Sequence, residues 1–319
     1  MTAGKHLWVG LAVAAMLAGP AAALAGEIVV ACGHSEKKDP AGAGAEAAEQ
    51  AKAALKGAEA KVVLVFDSLG GKAEIKQKML DAIAKSFDAS KLYGCSSYNA
   101  ITPQGGSGMV GVLALAGAIK ADAALADLTG GHEACGKKIG EAIQPAVEKT
   151  QGKGRLLVLI GDCHVPKNND VVKGVCGVLG EKFPVAGGAA MGGFTYCKGK
   201  VALQSNLGLL LSGDFTCSFS LKGAKGKEPM DVVNAAGEAF RQAIGEKTDD
   251  LVMVFAFDCG GRRGQMGKDR PKELELMKAA AGTAPIFGFY GSGETGPPDN
   301  DSPSRGVGYH ICACAIRKK

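Results

Sequence analysis

The feature that most constrains this chain is a repeat. Three stretches share one grammar, a short apolar run that breaks into a loop of small residues. They are Lys91–Ser97 (Lys-Leu-Tyr-Gly-Cys-Ser-Ser), Pro184–Gly193 and Pro285–Pro297. Each follows an earlier strand-like run by about 25 to 35 residues, and each is followed by another strand. A unit used several times buries its apolar face against its own copies, so the repeat sets the fold before any local reading does. Glycines at 288, 291, 293 and 296 suggest a backbone that takes positive φ and approaches a ligand closely.

Hydrophobic periodicity fills in the units. Strands are expected at 27–32, 61–66, 92–97 and 109–115, with helices at 41–55 and 73–87. Asp39 is the expected N-cap of the first helix, with Pro40 in its first turn. A second round has a poor strand at 121–128, helices at 133–149 and 169–179, and strands at 156–160, 185–191 and 201–211. A third has strands at 215–221, 251–257, 286–290 and 307–316, with helices at 230–244 and 272–281. The fold class is therefore α/β, with mixed sheets built from three strand-helix-strand-helix-strand-strand units of about 95 residues. Asp67, Asp162 and Asp258 each follow the second strand of a unit. They either cap the helices that follow or gather at the carboxyl ends of strands, where α/β folds place ligands.

The N-terminus reads as a signal peptide at 1–25. Lys5 and His6 precede an apolar run from Leu7 to Leu17, Gly19-Pro20 breaks it, and Ala23-Leu24-Ala25 is a small-x-small cleavage site. That run is short for a membrane span, so a periplasmic or secreted mature chain without a span is expected to begin near Gly26. With 46% hydrophobic and 22% charged residues the chain is globular. Its net charge of +5 comes from interspersed signs, which gives no warrant for a nucleic-acid partner. Ten cysteines fall in the mature part, mostly in apolar contexts, as buried thiols or bridges of unknown pairing.

Two segments go beyond a generic α/β pattern. One is Phe257–Gly267, containing Cys259-Gly-Gly-Arg-Arg263. The other is Gly288-Phe-Tyr-Gly-Ser-Gly-Glu-Thr-Gly296, with Gly308-Tyr309-His310 beyond it. Together they resemble the C-terminal FIST domain. Val62–Phe66, Tyr93–Ser96 and Gly111–Leu115 resemble the N-terminal FIST domain. The resemblance implies a FIST N-like domain at 26–213, holding two repeat units, and a FIST C-like domain at 214–319, holding the third. It further implies a sensory input module of signal transduction for small metabolites such as amino acids. With no output segment read in the chain, a membrane signalling partner is expected.

The candidate ligand-binding residues are Asp67, Cys95, Ser96, Asp258, Cys259, Arg262, Arg263, Tyr290, Glu294 and His310. A guanidinium fork suits a carboxylate, and Glu294 suits an ammonium, so the set fits an amino acid. Arg262 and Arg263 are equally open to structural pairing with Asp258 or Glu294. The expected role is non-catalytic binding. The alternative is a thiol-dependent enzyme using Cys259 or Cys95. No metal or other cofactor is expected. His310, Cys312 and Cys314 share one strand face, but neighbours there lie about 7 Å apart, wide for one tetrahedral site. The glycine loops lack a phosphate-loop signature and carry Glu294, which disfavours nucleotides.

Overall fold

The computed structural model describes residues 26–319, so the expected leader lies outside the described residues. Three units follow one another. The first runs β1 Ile28–Ser35, α1 Pro40–Ala54, β2 Ala60–Asp67, α2 Ala73–Ile83, β3 Leu92–Ser96, β4 Asn99–Thr102, β5 Gly105–Gly108 and β6 Val110–Gly117. The second runs β7 Ile119–Asp127, α3 His132–Lys149, β8 Gly154–Gly161, α4 Lys167–Leu179, β9 Val185–Ala189, β10 Thr195–Cys197, β11 Lys200–Ala202 and β12 Ser205–Gly213. The third runs β13 Phe215–Gly223, α5 Pro229–Ile244, β14 Leu251–Cys259, α6 Gly260–Met266, α7 Arg270–Ala281, β15 Ile286–Gly291, β16 Glu294–Gly296, β17 Arg305–Val307 and β18 His310–Lys318.

The mixed α/β architecture and the three-unit repeat follow the sequence reading, but each unit also carries a short hairpin. That hairpin leaves its own unit. The three six-stranded sheets have the orders β1-β6-β2-β3-β10-β11, β7-β12-β8-β9-β16-β17 and β13-β18-β14-β15-β4-β5. Each sheet holds four strands of one unit, with a parallel pair at its centre, and is completed by the hairpin of another. Unit one gives its hairpin to sheet three, three to sheet two, and two to sheet one, so the exchange closes on itself.

The second strand of each unit shows why its sequence is apolar without alternation. Val62, Leu64 and Phe66 face a central core, while Val63 and Val65 face the helices of the first unit. Leu156, Val158 and Ile160 face the same central core, and Leu157 and Leu159 turn to their own helices. Met253, Phe255 and Phe257 do likewise, with Val254 and Ala256 outward. Strands buried on both faces read as continuous hydrophobic runs. Phe66 meets Phe289 at 4.6 Å and Phe287 at 5.2 Å between ring centroids, joining the first unit to the third. The poor strand expected at 121–128 is β7, an edge strand that leaves Lys120, Asp122, Leu125 and Asp127 exposed, hence its mixed composition.

Local chemistry sets the element ends. Asp39 accepts the Gly42 N–H at 2.6 Å, and Pro40 occupies the first turn of α1. The run expected at 201–211 is divided at Gln204 and that at 307–316 at Tyr309, where φ is +48° and +58°. The expected strand at 185–191 stops at Ala189.

Asn168 ties one exchanged hairpin down. Buried in α4, it donates to the carbonyls of Glu294 at 3.0 Å and Val307 at 2.9 Å. Asn168→Ala leaves both acceptors without that donor. We expect a loss of about 2 kcal/mol, read by urea denaturation. Proteolysis between β16 and β17 should rise in parallel.

Candidate functional site

The carboxyl ends of β14 and β15 open on a cavity of about 350 Å³ to which all three units contribute. The first unit supplies Tyr98, just past β3, and the second supplies His164 and Val165, past β8. The third supplies Cys259, Gly261, Gly291, Ser292, Gly308 and Tyr309. Gly260 and Gly261 are required by close approach. A Cβ on Gly260 would sit 2.3 Å from the Tyr98 ring, and one on Gly261 would sit 2.9 Å from the Tyr309 ring. Two phenol rings therefore rest on bare backbone and wall the cavity. Both are unusually exposed, Tyr98 at 43% and Tyr309 at 61%. The Ser292 hydroxyl donates to Tyr98 Oη at 3.4 Å. His164 Nδ1 bonds the Val165 carbonyl at 2.9 Å, leaving Nε2 free of that contact. Tyr309 holds its ring in place at φ +58°, a strained conformation for a bulky residue.

Beneath Cys259 lies a buried charged network. Arg262 is 1% exposed. Its Nη2 donates to Glu273 Oε1 at 2.9 Å and to the Val232 carbonyl at 2.8 Å, and its Nε lies 3.1 Å from Asp258 Oδ1. Tyr290 donates to Glu273 Oε2 at 2.7 Å. Burial holds the Asp258 and Glu273 carboxyls above their ordinary range, Glu273 also through repulsion from Asp258, while Arg262 opposes both shifts. Burial likewise holds Glu294 well above it, although Oε2 accepts the His310 N–H at 2.9 Å. Burial, then the Glu294 carboxyl, push the Cys259 thiol to about 11. Asp258 Oδ2, Arg262 Nε and Nη1, Arg263 Nε and Glu294 Oε1 are buried without a well-formed hydrogen bond. Such a concentration of unsatisfied polar atoms marks a strained or functional site.

Asp67, Cys95 and Ser96 lie elsewhere. Asp67 Oδ1 takes Lys76 Nζ at 2.7 Å and the Leu69 N–H at 3.0 Å. Oδ2 takes the Tyr196 hydroxyl, which comes from the hairpin donated by the second unit, and Ser96 Oγ at 3.3 Å. This second network is buried in the first unit, with Cys95 in the central core. Asp67 and Asp258 do sit at one register, two residues past Val65 and Ala256, which pair with Gly94 and Gly288. In the second unit Leu159 pairs with Gly187, so the matching position is Gly161 and Asp162 is one residue late. A Cβ at Gly161 would lie 2.2 Å from Asn206 Oδ1, and the asparagine fills the place of the acid.

The structure distributes the expected site residues over two buried networks and one cavity. Of the ten predicted residues, Cys259 lines the cavity. Asp258, Arg262, Tyr290 and Glu294 lie packed in the same unit, and half-buried His310 donates its Nδ1 side to the Gly308 carbonyl at 2.7 Å. Arg262 turns inward, engaged with acids and a carbonyl, and does not offer its fork to a ligand. Arg263 stands 5.7 Å from the Tyr290 ring centroid. Tyr98, His164, Ser292 and Tyr309 were missed as cavity residues, and Lys76, Tyr196 and Glu273 as partners of the buried acids. Tyr98 and Tyr309 each had one signal, a tyrosine next to a glycine-type loop in a chain with five tyrosines. Among the described residues, no group of three or more His, Cys, Asp or Glu is placed to hold a metal ion.

A larger basin of about 730 Å³ lies at the opposite edge of the sheets, lined by Lys61, Lys120, Lys149 and Lys153 with Asp122 and Asp214. Its charges include an exposed Lys153–Asp214 pair at 2.6 Å, which is ordinary solvated surface.

Comparison with known proteins gives two domain matches. The FIST N domain profile matches residues 61–238 and the FIST C domain profile matches residues 225–297. A search of curated sequences finds no match. Two similar solved structures are of cyanuric acid hydrolase. One, described as "evolutionary innovation by structural concatenation", is 10% identical with a TM-score of 0.47, covering 92% of this chain and 100% of the other. The second, from A. caulinodans, is 12% identical with a TM-score of 0.49, covering 91% and 99%.

Proposed function

Because the chain belongs to the FIST family, with both its N and C domains, we propose that it is a sensory module that binds a small polar metabolite, such as an amino acid, between Tyr98 and Tyr309. The observation that carries this reading is the cavity at the meeting of three units, walled by two exposed tyrosines and floored by Cys259. The phenol faces suit an ammonium group or a flat apolar part, each worth about 0.5–2 kcal/mol. Ser292 and His164 offer hydrogen bonds to the remainder. The arginine pair assigned to the ligand carboxylate is replaced in this role, because Arg262 belongs to the buried network. The module acts without chemistry on its ligand in this reading. The leader-like residues 1–25 support an exported location, where a membrane signalling protein would receive the signal. Among the described residues no helix is long and apolar enough to cross a membrane.

Calorimetric titration of the chain against a panel of amino acids tests the reading, and folded protein that binds none of them counts against it. Tyr309→Gly separates binding from folding. It removes a ring from the cavity and relieves a non-glycine left-handed residue, so the melting temperature should hold or rise. Affinity should fall about tenfold, which corresponds to roughly 1.4 kcal/mol. Wild-type affinity retained in both Tyr309→Gly and Tyr98→Ala would remove the tyrosine walls from the account.

A further inference from the structure

We propose that the cavity selects a small organic ammonium that carries no carboxylate, held by its charge against the Tyr98 and Tyr309 rings. This rests on the reading of the cavity as the ligand site and narrows the class of ligand it takes. Lysine, arginine, aspartate and glutamate are all absent from the described residues that line it. A ligand carboxylate would therefore lose water there without meeting a cation, and a buried charge left unpaired is costly. The charge-recognising surfaces that remain are the two phenol rings, both exposed. The negative face of an aromatic ring attracts a cation, the more so where water is excluded.

The hydrogen-bonding groups point to the same sign. A carbonyl only accepts, so the His164 Nδ1 that bonds the Val165 carbonyl at 2.9 Å holds a ring proton. In the neutral ring Nε2 is then an acceptor. The Ser292 hydroxyl gives its proton to Tyr98 Oη at 3.4 Å, which leaves lone pairs on Oγ. Both atoms accept from N–H or O–H groups of a ligand. Cys259 and Val165 add apolar surface for its carbon. Below the cavity three acids, Asp258, Glu273 and Glu294, are buried with one guanidinium, Arg262. The chain itself ties two of these acids to the cavity. Asp258 precedes Cys259, and Glu294 Oε2 accepts the N–H of His310, the residue after Tyr309, at 2.9 Å. Half-buried Arg263 stands 5.7 Å from the Tyr290 ring centroid and does not line the cavity. Acids thus outnumber bases beneath walls that favour positive charge. At about 350 Å³ the cavity is at the small end of ligand pockets, roughly 300–1,000 Å³, which suits a small amine.

Isothermal calorimetry with three probes of similar shape tests the proposal. Choline is the cation. Neohexyl alcohol, with carbon in place of the nitrogen, removes the charge and keeps the shape. Glycine betaine keeps the trimethylammonium group and adds a carboxylate. We expect the wild-type chain to bind choline at least tenfold more tightly than either of the others. Tyr98→Leu and Tyr309→Leu should each weaken choline about tenfold and change neohexyl alcohol by less than about twofold, since leucine keeps apolar bulk but has no ring face. Thermal denaturation checks that each variant is folded. Equal affinity for choline and neohexyl alcohol overturns the proposal. So does betaine binding as tightly as choline, and both results come from the wild type alone. If amino acids bind and choline does not, the ammonium preference fails and the receptor stands. If no probe and no amino acid binds, the cavity reading itself fails.

Discussion

Arg262→Met is expected to lower the stability of the fold by about 3–5 kcal/mol at neutral pH, the range for removing one partner of a buried ion pair. The guanidinium is enclosed with Asp258 and Glu273, each 1% exposed or less, and it is the cation both acids face. Without it an ionised carboxylate is left buried and unpaired. The loss should depend on pH. Asp258, Glu273 and Glu294 all have folded-state ionisation raised above the unfolded value. Their contribution is fully present below the ordinary carboxylate range and is lost as pH rises through the folded values. Arg262 pulls the Asp258 and Glu273 values down, so its removal widens that window upward. The deficit of the variant should be small in acid, where the acids are neutral in both states, and largest at alkaline pH. Urea denaturation of both proteins at pH 3 and pH 9 measures it. A deficit below about 1 kcal/mol at both would show that the network is dispensable. Glu273→Gln in the Arg262→Met background should restore part of the loss, since one of the stranded acids is gone.

The same network shows what could and could not be read in advance. The strands were legible because Val62–Phe66, Leu156–Ile160 and Met253–Phe257 are apolar on both faces, and both faces are buried. α6 was not, since Gly260, Gly261 and Gly264 all lower helix propensity and tertiary packing overrides them. The exchanged hairpins were hidden for a different reason. Their strands are three or four residues long and pair with another unit, so no local pattern announces them. Arg262 and Glu294 were found as a pair of interest, but a sequence cannot say whether a guanidinium faces a ligand or a core. Here Glu273, eleven residues further on and inconspicuous in a charged helix, decides it. The cavity itself is assembled from loops of three units. Its tyrosines carry no spacing signal, because the contacts that define it are set by the sheets.

The exchange also places the networks. Tyr196 reaches Asp67 because β10 belongs to the sheet of the first unit, and Tyr98 reaches the cavity because β4 belongs to the sheet of the third. The main-chain N–H of Tyr98 donates to the Tyr290 carbonyl at 2.8 Å, so the cavity wall is continuous with the donated strand. Folding of each site then requires two units at once. Denaturation should accordingly report both networks in one transition.

Gly288→Ala is the second large effect, expected to cost about 3 kcal/mol or more. Gly94, Gly187 and Gly288 hold one position in the three units, on the third strand and paired in parallel with Val65, Leu159 and Ala256. A Cβ at Gly288 would fall 1.7 Å from the Ala256 carbonyl oxygen, and one at Gly94 or Gly187 would fall 1.9 Å from those of Val65 and Leu159. The obstacle in each case is backbone of the neighbouring strand, which cannot move aside as a flexible side chain can. Gly94 and Gly187 add φ values of +147° and +155°, a region closed to L side chains, for a further strain of roughly 1–3 kcal/mol. Loops that read as ligand-contacting are thus, at these glycines, places where two central strands press together at the edge of the site. Gly177, in α4, is the control. A Cβ there has nothing within 4 Å, and Gly177→Ala should stabilise by about 0.5–1 kcal/mol through helix propensity. Thermal and urea denaturation of the four variants should therefore split them by sign. If Gly288→Ala or Gly187→Ala matched Gly177→Ala, the parallel strands would not be in the contact described, and the cavity at their ends would lose its support.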